Sequence, residues 1–448
     1  MWPYFDPEYE NLSQRMNPPR VCIDNTTCSD CTLVKVDSMN KPGILLEVVQ
    51  VLSDLDLFIS KAYITSDGRW FMDVFHVTDQ QGNKITDQKT IEYIEKALGP
   101  ESNILGTKGD SWPGKSVGMH SIGDYTAIEL IGTDRPGLLS EIFAVLANLH
   151  CNVIAAEVWT HNMRVACILF VNDEATFQAV DDPSRLSKME EQLRNVLRGC
   201  GDDVRGARTS FSIGTTHVDR RLHQLMLADK DYEIGGSVAE RNEVIPFRPV
   251  ITIDHCEEKG YSVVNIKCKD RPKLLFDIVC TLTDMQFVVF HASVSSDGPY
   301  GLQELYIRHK DGFTLDSKEE KEMVIKCLEA AISRRVSEGF SLELCGRDRV
   351  GLLSDVTRVL REYGLTVTRA DVTTIGEQAM NVFYVRDASG NPVDMKTIEA
   401  LRREIGHTVM LNVKRVPSSA SASAKAPQPS RGARKGFSFG GLLGRFWG

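Results

Sequence analysis

The chain has 448 residues, a net charge of −9, 42% hydrophobic and 25% charged residues. That length suits several domains of modest size rather than one core. The acidic balance argues against general attraction to nucleic acid, which usually shows as a basic domain. The longest apolar runs, such as Phe287 to Phe290 and Ala166 to Val171, fall far short of the roughly 20 residues of a membrane-spanning helix. The first residues carry Asp6, Glu8 and Glu10 without an apolar core, unlike a signal or transit peptide. The expected location is cytoplasmic or nuclear.

Residues 1–30 precede the first periodic pattern. Cys28-x-x-Cys31, with Cys22 nearby, has the spacing of half a zinc site, but no second pair follows, so no metal is expected. The eleven cysteines are scattered. Cys167, Cys268, Cys280 and Cys327 fall in predicted strands or helices, where a free thiol behaves as a small hydrophobe.

From Thr32 the chain alternates as a half-buried strand, Thr32-Leu33-Val34-Lys35-Val36, then enters the loop Asn40-Lys41-Pro42-Gly43-Ile44-Leu45. An amphipathic helix follows, then a β-branched stretch around Ala62. The turn signal Ser66-Asp67-Gly68 leads to a third strand, Trp70 to Val77, and a second helix, Thr90 to Leu98. The same loop returns as Asp134-Arg135-Pro136-Gly137-Leu138-Leu139, Asp270-Arg271-Pro272-Lys273-Leu274-Leu275 and Asp348-Arg349-Val350-Gly351-Leu352-Leu353. Nineteen residues past the fourth loop position stands an alanine in each copy: Ala62, Ala156, Ala292 and Ala370. Thirty-four past it stands Val77, Val171, Ile307 or Val385. Four copies in one register are an internal repeat.

Each loop carries helix-start chemistry. Asp or Asn is expected as N-cap, Pro in the first turn, and an acid further on at Glu47, Glu141, Asp277 and Asp355, at the positive helix end. A closing strand is clear at Arg208 to Ile213 and His407 to Val416, and less clear in the first and third copies. The unit order is βαββαβ, giving an α+β fold of four ferredoxin-like modules with helices on one face of an antiparallel sheet.

Between the second and third copies, residues 215–249 form a polar linker with a helix at Val218 to Leu227. His217 and His223 are expected on its solvated face. The linker splits the chain into halves, so modules are expected to pair one with two and three with four. After Val416 the sequence turns to Ser and Ala, then to Lys425, Arg431, Arg434, Lys435 and Arg445, interleaved with Phe437, Phe439, Phe446 and Trp447. This is the composition of a disordered tail, with weak contact to an anionic membrane surface as its expected further role. Catalytic signatures are missing: there is no Gly-x-Ser-x-Gly elbow, Walker loop or Gly-x-Gly-x-x-Gly after a strand. No enzyme activity and no cofactor are expected.

On these loops the units resemble ACT domains, small regulatory modules that bind amino acids. Four in tandem with no catalytic domain resemble the plant ACT-domain repeat (ACR) family, and are similar to the paired ACT domains of the bacterial uridylyltransferase/uridylyl-removing enzyme. The resemblance covers Cys31 to Val416. It implies ACT-like modules at 31–110, 124–214, 250–337 and 338–416, flanked by the 1–30 segment and the 417–448 tail. It also implies ligand sites at the strand-to-helix loops near module interfaces, with Asn40, Gly43 and Ile44; Asp134, Gly137 and Leu138; Asp270; and Asp348, Gly351 and Leu352 as binding residues. Lys273 in place of glycine is expected to obstruct the third site, and the complete Asp134 to Gly137 loop is the favoured one. The implied function is a non-enzymatic sensor of free amino acids, glutamine being one candidate, acting on an unidentified protein partner in nitrogen metabolism or signalling, with homo-oligomers expected and no nucleic acid. The alternative is an interaction scaffold without a small ligand.

Overall fold

The structure, a computed structural model, describes residues 19–40, 43–67, 70–99, 125–198, 208–212, 217–233, 248–256, 260–336, 339–389, 393–405 and 409–415. The 417–448 tail and most of the 1–30 segment lie outside the described residues.

Module one comprises β1 (Arg20–Asp24), β2 (Thr32–Met39), α1 (Ile44–Asp54), β3 (Phe58–Asp67), β4 (Trp70–Thr78) and α2 (Gln88–Leu98). Module two comprises β5 (Thr126–Thr133), α3 (Leu138–Asn148), β6 (Cys151–His161), β7 (Arg164–Asp173), α4 (Pro183–Arg198) and β8 (Arg208–Ser212). The linker contributes α5 (Val218–Ala228). Module three follows with β9 (Val250–Cys256), β10 (Tyr261–Lys269), α6 (Leu274–Asp284), β11 (Phe287–Asp297), β12 (Tyr300–His309) and α7 (Lys318–Arg334). Module four has β13 (Phe340–Arg347), α8 (Leu352–Glu362), β14 (Leu365–Ile375), β15 (Gln378–Asp387), α9 (Met395–Ile405) and β16 (Met410–Arg415).

The modules fuse in pairs into two eight-stranded sheets, but the pairing corrects the expectation from the linker. Sheet I runs β1-β2-β4-β3-β11-β12-β10-β9, joining modules one and three, and sheet II runs β16-β13-β15-β14-β6-β7-β5-β8, joining two and four. The seams are antiparallel. In sheet I, Ala62 registers with Val294 and Ile64 with Ala292; in sheet II, Ala156 registers with Val372 and Val158 with Ala370. The repeated alanines therefore flank each pseudo-twofold axis, buried under the paired first helices, where a larger side chain would hold those helices off the sheet.

In modules two and four the edge strand closes the unit from the C-terminal side. In modules one and three the edge next to the first strand is taken by β1 and β9, each joined to it as a hairpin. The ferredoxin-like sheet needs an antiparallel neighbour at that edge and accepts it from either direction of the chain, which explains why no closing strand was legible there.

The four layers alternate. Helices α1, α2, α6 and α7 share a core with one face of sheet I, and α3, α4, α8 and α9 with one face of sheet II. The second face of sheet II is covered as well: Ala127, Ala155, Trp159, Ala166, Ile168 and Phe170 pack on Val218, Leu222 and Met226 of α5. Strand sequences register this difference. β7, enclosed on both sides, is buried without interruption from Arg164 to Asn172, whereas β12 alternates because one face of sheet I meets solvent. The linker helix is thus an internal element, and His217 and His223 are not on a solvated face. Spacing of Val218, Leu222 and Met226 by four gives α5 an apolar stripe, and His223 sits 4.9 Å from the Trp159 ring.

Candidate functional site

Each loop is a turn that delivers the chain straight into a helix. Gly137 has φ 84° and ψ −4°, and Leu138 N–H donates to the Arg135 carbonyl at 3.1 Å. This is a type II turn with Pro136 at its second position and glycine at the third, where positive φ is required. Gly43 (φ 88°) and Gly351 (φ 81°) repeat the geometry. Val350 is tolerated because the second position needs only an ordinary negative φ. The helix cap is therefore the fourth loop residue, without a side-chain cap bond, and not the Asp or Asn expected from propensity.

The loop acid is left for other work. Asp348 accepts a hydrogen bond from Thr374 at 3.2 Å, and Asp270 accepts from Ser296 at 2.5 Å. A hydroxyl stands twenty-six residues after the first loop position in all four copies, at Ser66, Thr160, Ser296 and Thr374. Two of these hydroxyls also cross the seam: Thr160 donates to the Thr368 carbonyl at 2.9 Å, and Ser296 to the Ser60 carbonyl at 3.2 Å. Loop and module interface are thereby one structural unit. The helix acids tie down the loop arginines, Arg135 to Glu141 at 2.9 Å, Arg271 to Asp277 at 2.7 Å and Arg349 to Asp355 at 2.5 Å.

Sheet II carries two pseudo-symmetric clefts, each narrow as it stands, with a free volume of about 20 Å³, the room of one or two water molecules. One lies between Asp134, Gly137 and Ser140 of module two and Thr357, Arg361 and Thr366 of module four. Its counterpart lies between Asp348 and Gly351 of module four and Phe143, Ala147 and Asn152 of module two. In the first, the Arg361 side chain occupies the space a Cβ at position 137 would take, its Cδ coming within 2.5 Å of that point. Burial pushes the Asp134 carboxyl up to about 6, with Arg386 opposing the shift. Arg135 holds Glu141 below the usual carboxylate range. The cleft thus sets a carboxylate and guanidinium groups beside a helix N-terminus whose first amides find no partner within the helix. Leu138 and Leu352 line the clefts but are themselves buried.

Sheet I is organised differently. Lys273, at φ 62° in the position of glycine, sends its ammonium to Asp219 of α5 at 2.9 Å. The third loop is thereby tied to the linker helix by an ion pair. Asn40 follows β2, Gly43 is exposed with no atom within 4 Å of a Cβ placed there, and Ile44 is half-buried. The four loops are not gathered into one site; they fall into two seams.

Sequence reasoning missed the charged layer between the sheets. Arg335, just past α7, stacks over Trp159 at 4.5 Å and pairs with Asp219 at 2.8 Å and Asp277 at 2.9 Å. His223 meets Asp277 at 2.8 Å, and Asp231 is held by Arg334 at 2.6 Å and His161 at 2.8 Å. Burial alone would raise Asp219, but Arg335 and Lys273 outweigh it and hold the carboxyl well below its ordinary range. At the axis of sheet II, Glu157 registers opposite Asp371. Burial, with Asp219 and Asp371 adding repulsion, pushes Glu157 up to about 8. The signal was present in the residue after two of the four repeated alanines, Glu157 and Asp371, but it acquires meaning only from the pairing of module two with module four.

The family described as the ACR family N-terminal ACT domain matches residues 27–104, and the ACT domain matches 126–198, 262–322 and 340–403. Two relatives from Arabidopsis thaliana extend this to the full chain: ACT domain-containing protein ACR3, 68% identical over 99% of this chain and 98% of its own length, and ACR4, 54% identical over 98% and 95%. The chain belongs to the ACR family of ACT-domain proteins. A bifunctional uridylyltransferase/uridylyl-removing enzyme from Gluconobacter oxydans is 39% identical over 21% of this chain and 10% of its own length. The regulatory subunit of aspartate kinase from Thermus thermophilus aligns with 48% of this chain and 97% of its own at 12% identity, with a TM-score of 0.16. As an ACR protein the chain is an array of regulatory ACT modules. No helix among the described residues is long and apolar enough to cross a membrane.

Proposed function

We propose that this ACR protein binds free amino acids in the clefts between modules two and four, without catalysis, and transmits occupancy to a protein partner in nitrogen metabolism or signalling. The observation that carries this reading is the Asp134 cleft, where a carboxylate, Arg361 from the opposite module and a helix N-terminus converge. An α-amino acid is a zwitterion. Its carboxylate suits the free amides and Arg361, and its ammonium suits Asp134. Glutamine, whose amide can both donate and accept, is a reasonable first ligand. Because each cleft is walled by two modules, a ligand held there changes the relative stability of their packing, and only such differential affinity can drive a change of state.

A scaffold reading is favoured for sheet I by one observation, the Lys273–Asp219 pair, which ties the third loop to the linker helix. We therefore assign sensing to sheet II and a constitutive structural role to the third loop. A thermal-shift screen of the free amino acids tests this, since a ligand of the folded state raises the midpoint by mass action. A set of shifts absent from Gly137→Val supports the reading, and identical shifts in both proteins remove the loop from the site.

A further inference from the structure

The hairpin loop between β1 and β2 brings three soft donor atoms together. Cys31 Sγ lies 3.0 Å from Cys28 Sγ and 3.4 Å from His76 Nδ1, and the three ligand atoms all fall within 4.8 Å of one another. His76 arrives from β4, forty-five residues away, set beside Leu33 and Lys61 in the sheet register. No spacing rule in the sequence could have joined it to the cysteine pair. We infer that Cys28, Cys31 and His76 form a zinc site on module one, with two thiolates and one imidazole as protein ligands and a fourth position open to water.

The donor set fits. Zinc takes thiolate at about 2.3 Å and imidazole at about 2.0–2.1 Å in tetrahedral geometry, so the two sulfurs need separate only to roughly 3.7 Å. Thiolate and imidazole select zinc over calcium or magnesium. Cys31 is buried and the other two ligands are half-buried, which leaves one side of the site accessible.

The loop is held in this shape before any ion arrives. Asp24 Oδ1 accepts from the backbone amides of Thr26 and Thr27 at 2.9 and 3.0 Å. Asn25 Nδ2 donates to the Ile85 carbonyl at 2.9 Å and its Oδ1 accepts from Thr32 at 2.5 Å. Lys84 donates to the carbonyls of Asn25 and Cys28 at 2.9 and 2.5 Å. Its ammonium thus holds the backbone of a ligand residue, and such outer contacts tune metal affinity. The site ties the β1–β2 hairpin loop to β4 across β2, so bound metal would clamp the N-terminal hairpin onto the sheet.

The test is metal content and cobalt spectroscopy on the full chain purified under reducing conditions. One zinc per chain is expected, and cobalt(II) should replace it with thiolate charge-transfer absorption and the intense visible bands of tetrahedral coordination. Cys28→Ser should abolish the charge-transfer band from that sulfur, and His76→Ala should weaken cobalt binding at least about tenfold while leaving the circular dichroism of the metal-free protein unchanged. A wild-type chain that takes up neither metal would overturn the assignment. So would His76→Ala binding cobalt as tightly as wild type, or recovery of a Cys28–Cys31 disulfide from reducing buffer.

Discussion

Lys273 Nζ lies 2.9 Å from Asp219 Oδ2, joining the third loop to the linker helix in a largely buried pair. Asp219 also meets Arg335, so it neutralises two cations at once. Removing it should cost about 3–5 kcal/mol, because buried Lys273 then loses its paired carboxylate and Arg335 keeps only Asp277. Lys273→Gly should cost less, since Asp219 keeps Arg335 and glycine relieves a left-handed backbone worth about 1–2 kcal/mol. Urea unfolding of the two variants at neutral pH measures the difference, and a larger loss in Lys273→Gly would contradict the assignment.

The sheets pair module one with three and two with four, so each half of the chain holds one half of each sheet. Fragments 1–240 and 241–448 should each fail to give a cooperative unfolding transition alone, because each exposes two unpaired seam strands. Mixed, they should reconstitute one species. Two independently folded halves would instead fit the pairing suggested by the linker.

Asp73 is fully buried, and burial pushes its carboxyl up to about 8, with only a 3.3 Å bond from the Thr65 amide opposing. A folded pKa above the unfolded one means that the native state holds the proton more tightly. This contribution is complete below pH ~4 and is lost as pH rises toward 8, on the order of 6 kcal/mol across the window. Asp73→Asn should therefore be more stable than wild type at pH 8 and show a flatter stability profile from pH 4 to 8. Parallel profiles for the two proteins would show that Asp73 ionises freely.

The repeat made most of the architecture legible: four loops, four alanines and a third strand at fixed offset locate the shared part of each module, but not the edge strand β1, which lies ahead of the expected start at 31. That the third loop departs from the others could also be read, because only one copy breaks the glycine, but the pairing of Lys273 with Asp219 could not. What could not be read was which modules pair. The seam strands β3, β6, β11 and β14 share one pattern, so nothing local distinguishes one partner from another. Helix α5 joins the two layers through its apolar stripe and through Asp219, Arg221 and His223. A short polar segment gives no hint of this until its charges are seen to be paired. The cap residue was misassigned for a simpler reason: type II turn geometry places glycine, not the acid, at the helix start.

The proposed role of Asp134 makes ligand binding depend on pH. With its carboxyl at about 6, the anion that would hold a ligand ammonium is present above that value and is lost below it. Affinity for an amino acid should fall about tenfold between pH 7 and pH 5, followed by calorimetric titration. In Asp134→Asn the same interval should produce little change, and a wild-type affinity constant across it would exclude the carboxylate from the contact.

The most direct test of amino-acid sensing is calorimetric titration of free amino acids into the full chain and into Asp134→Asn at pH 7.5. The variant keeps the turn and the shape of the cleft while deleting its negative charge. Saturable binding of an amino acid to the wild-type chain, weakened at least about tenfold in Asp134→Asn by loss of a charge-assisted bond, is the predicted result. Absence of binding by the wild-type chain, or equal affinity in both proteins, would contradict the account.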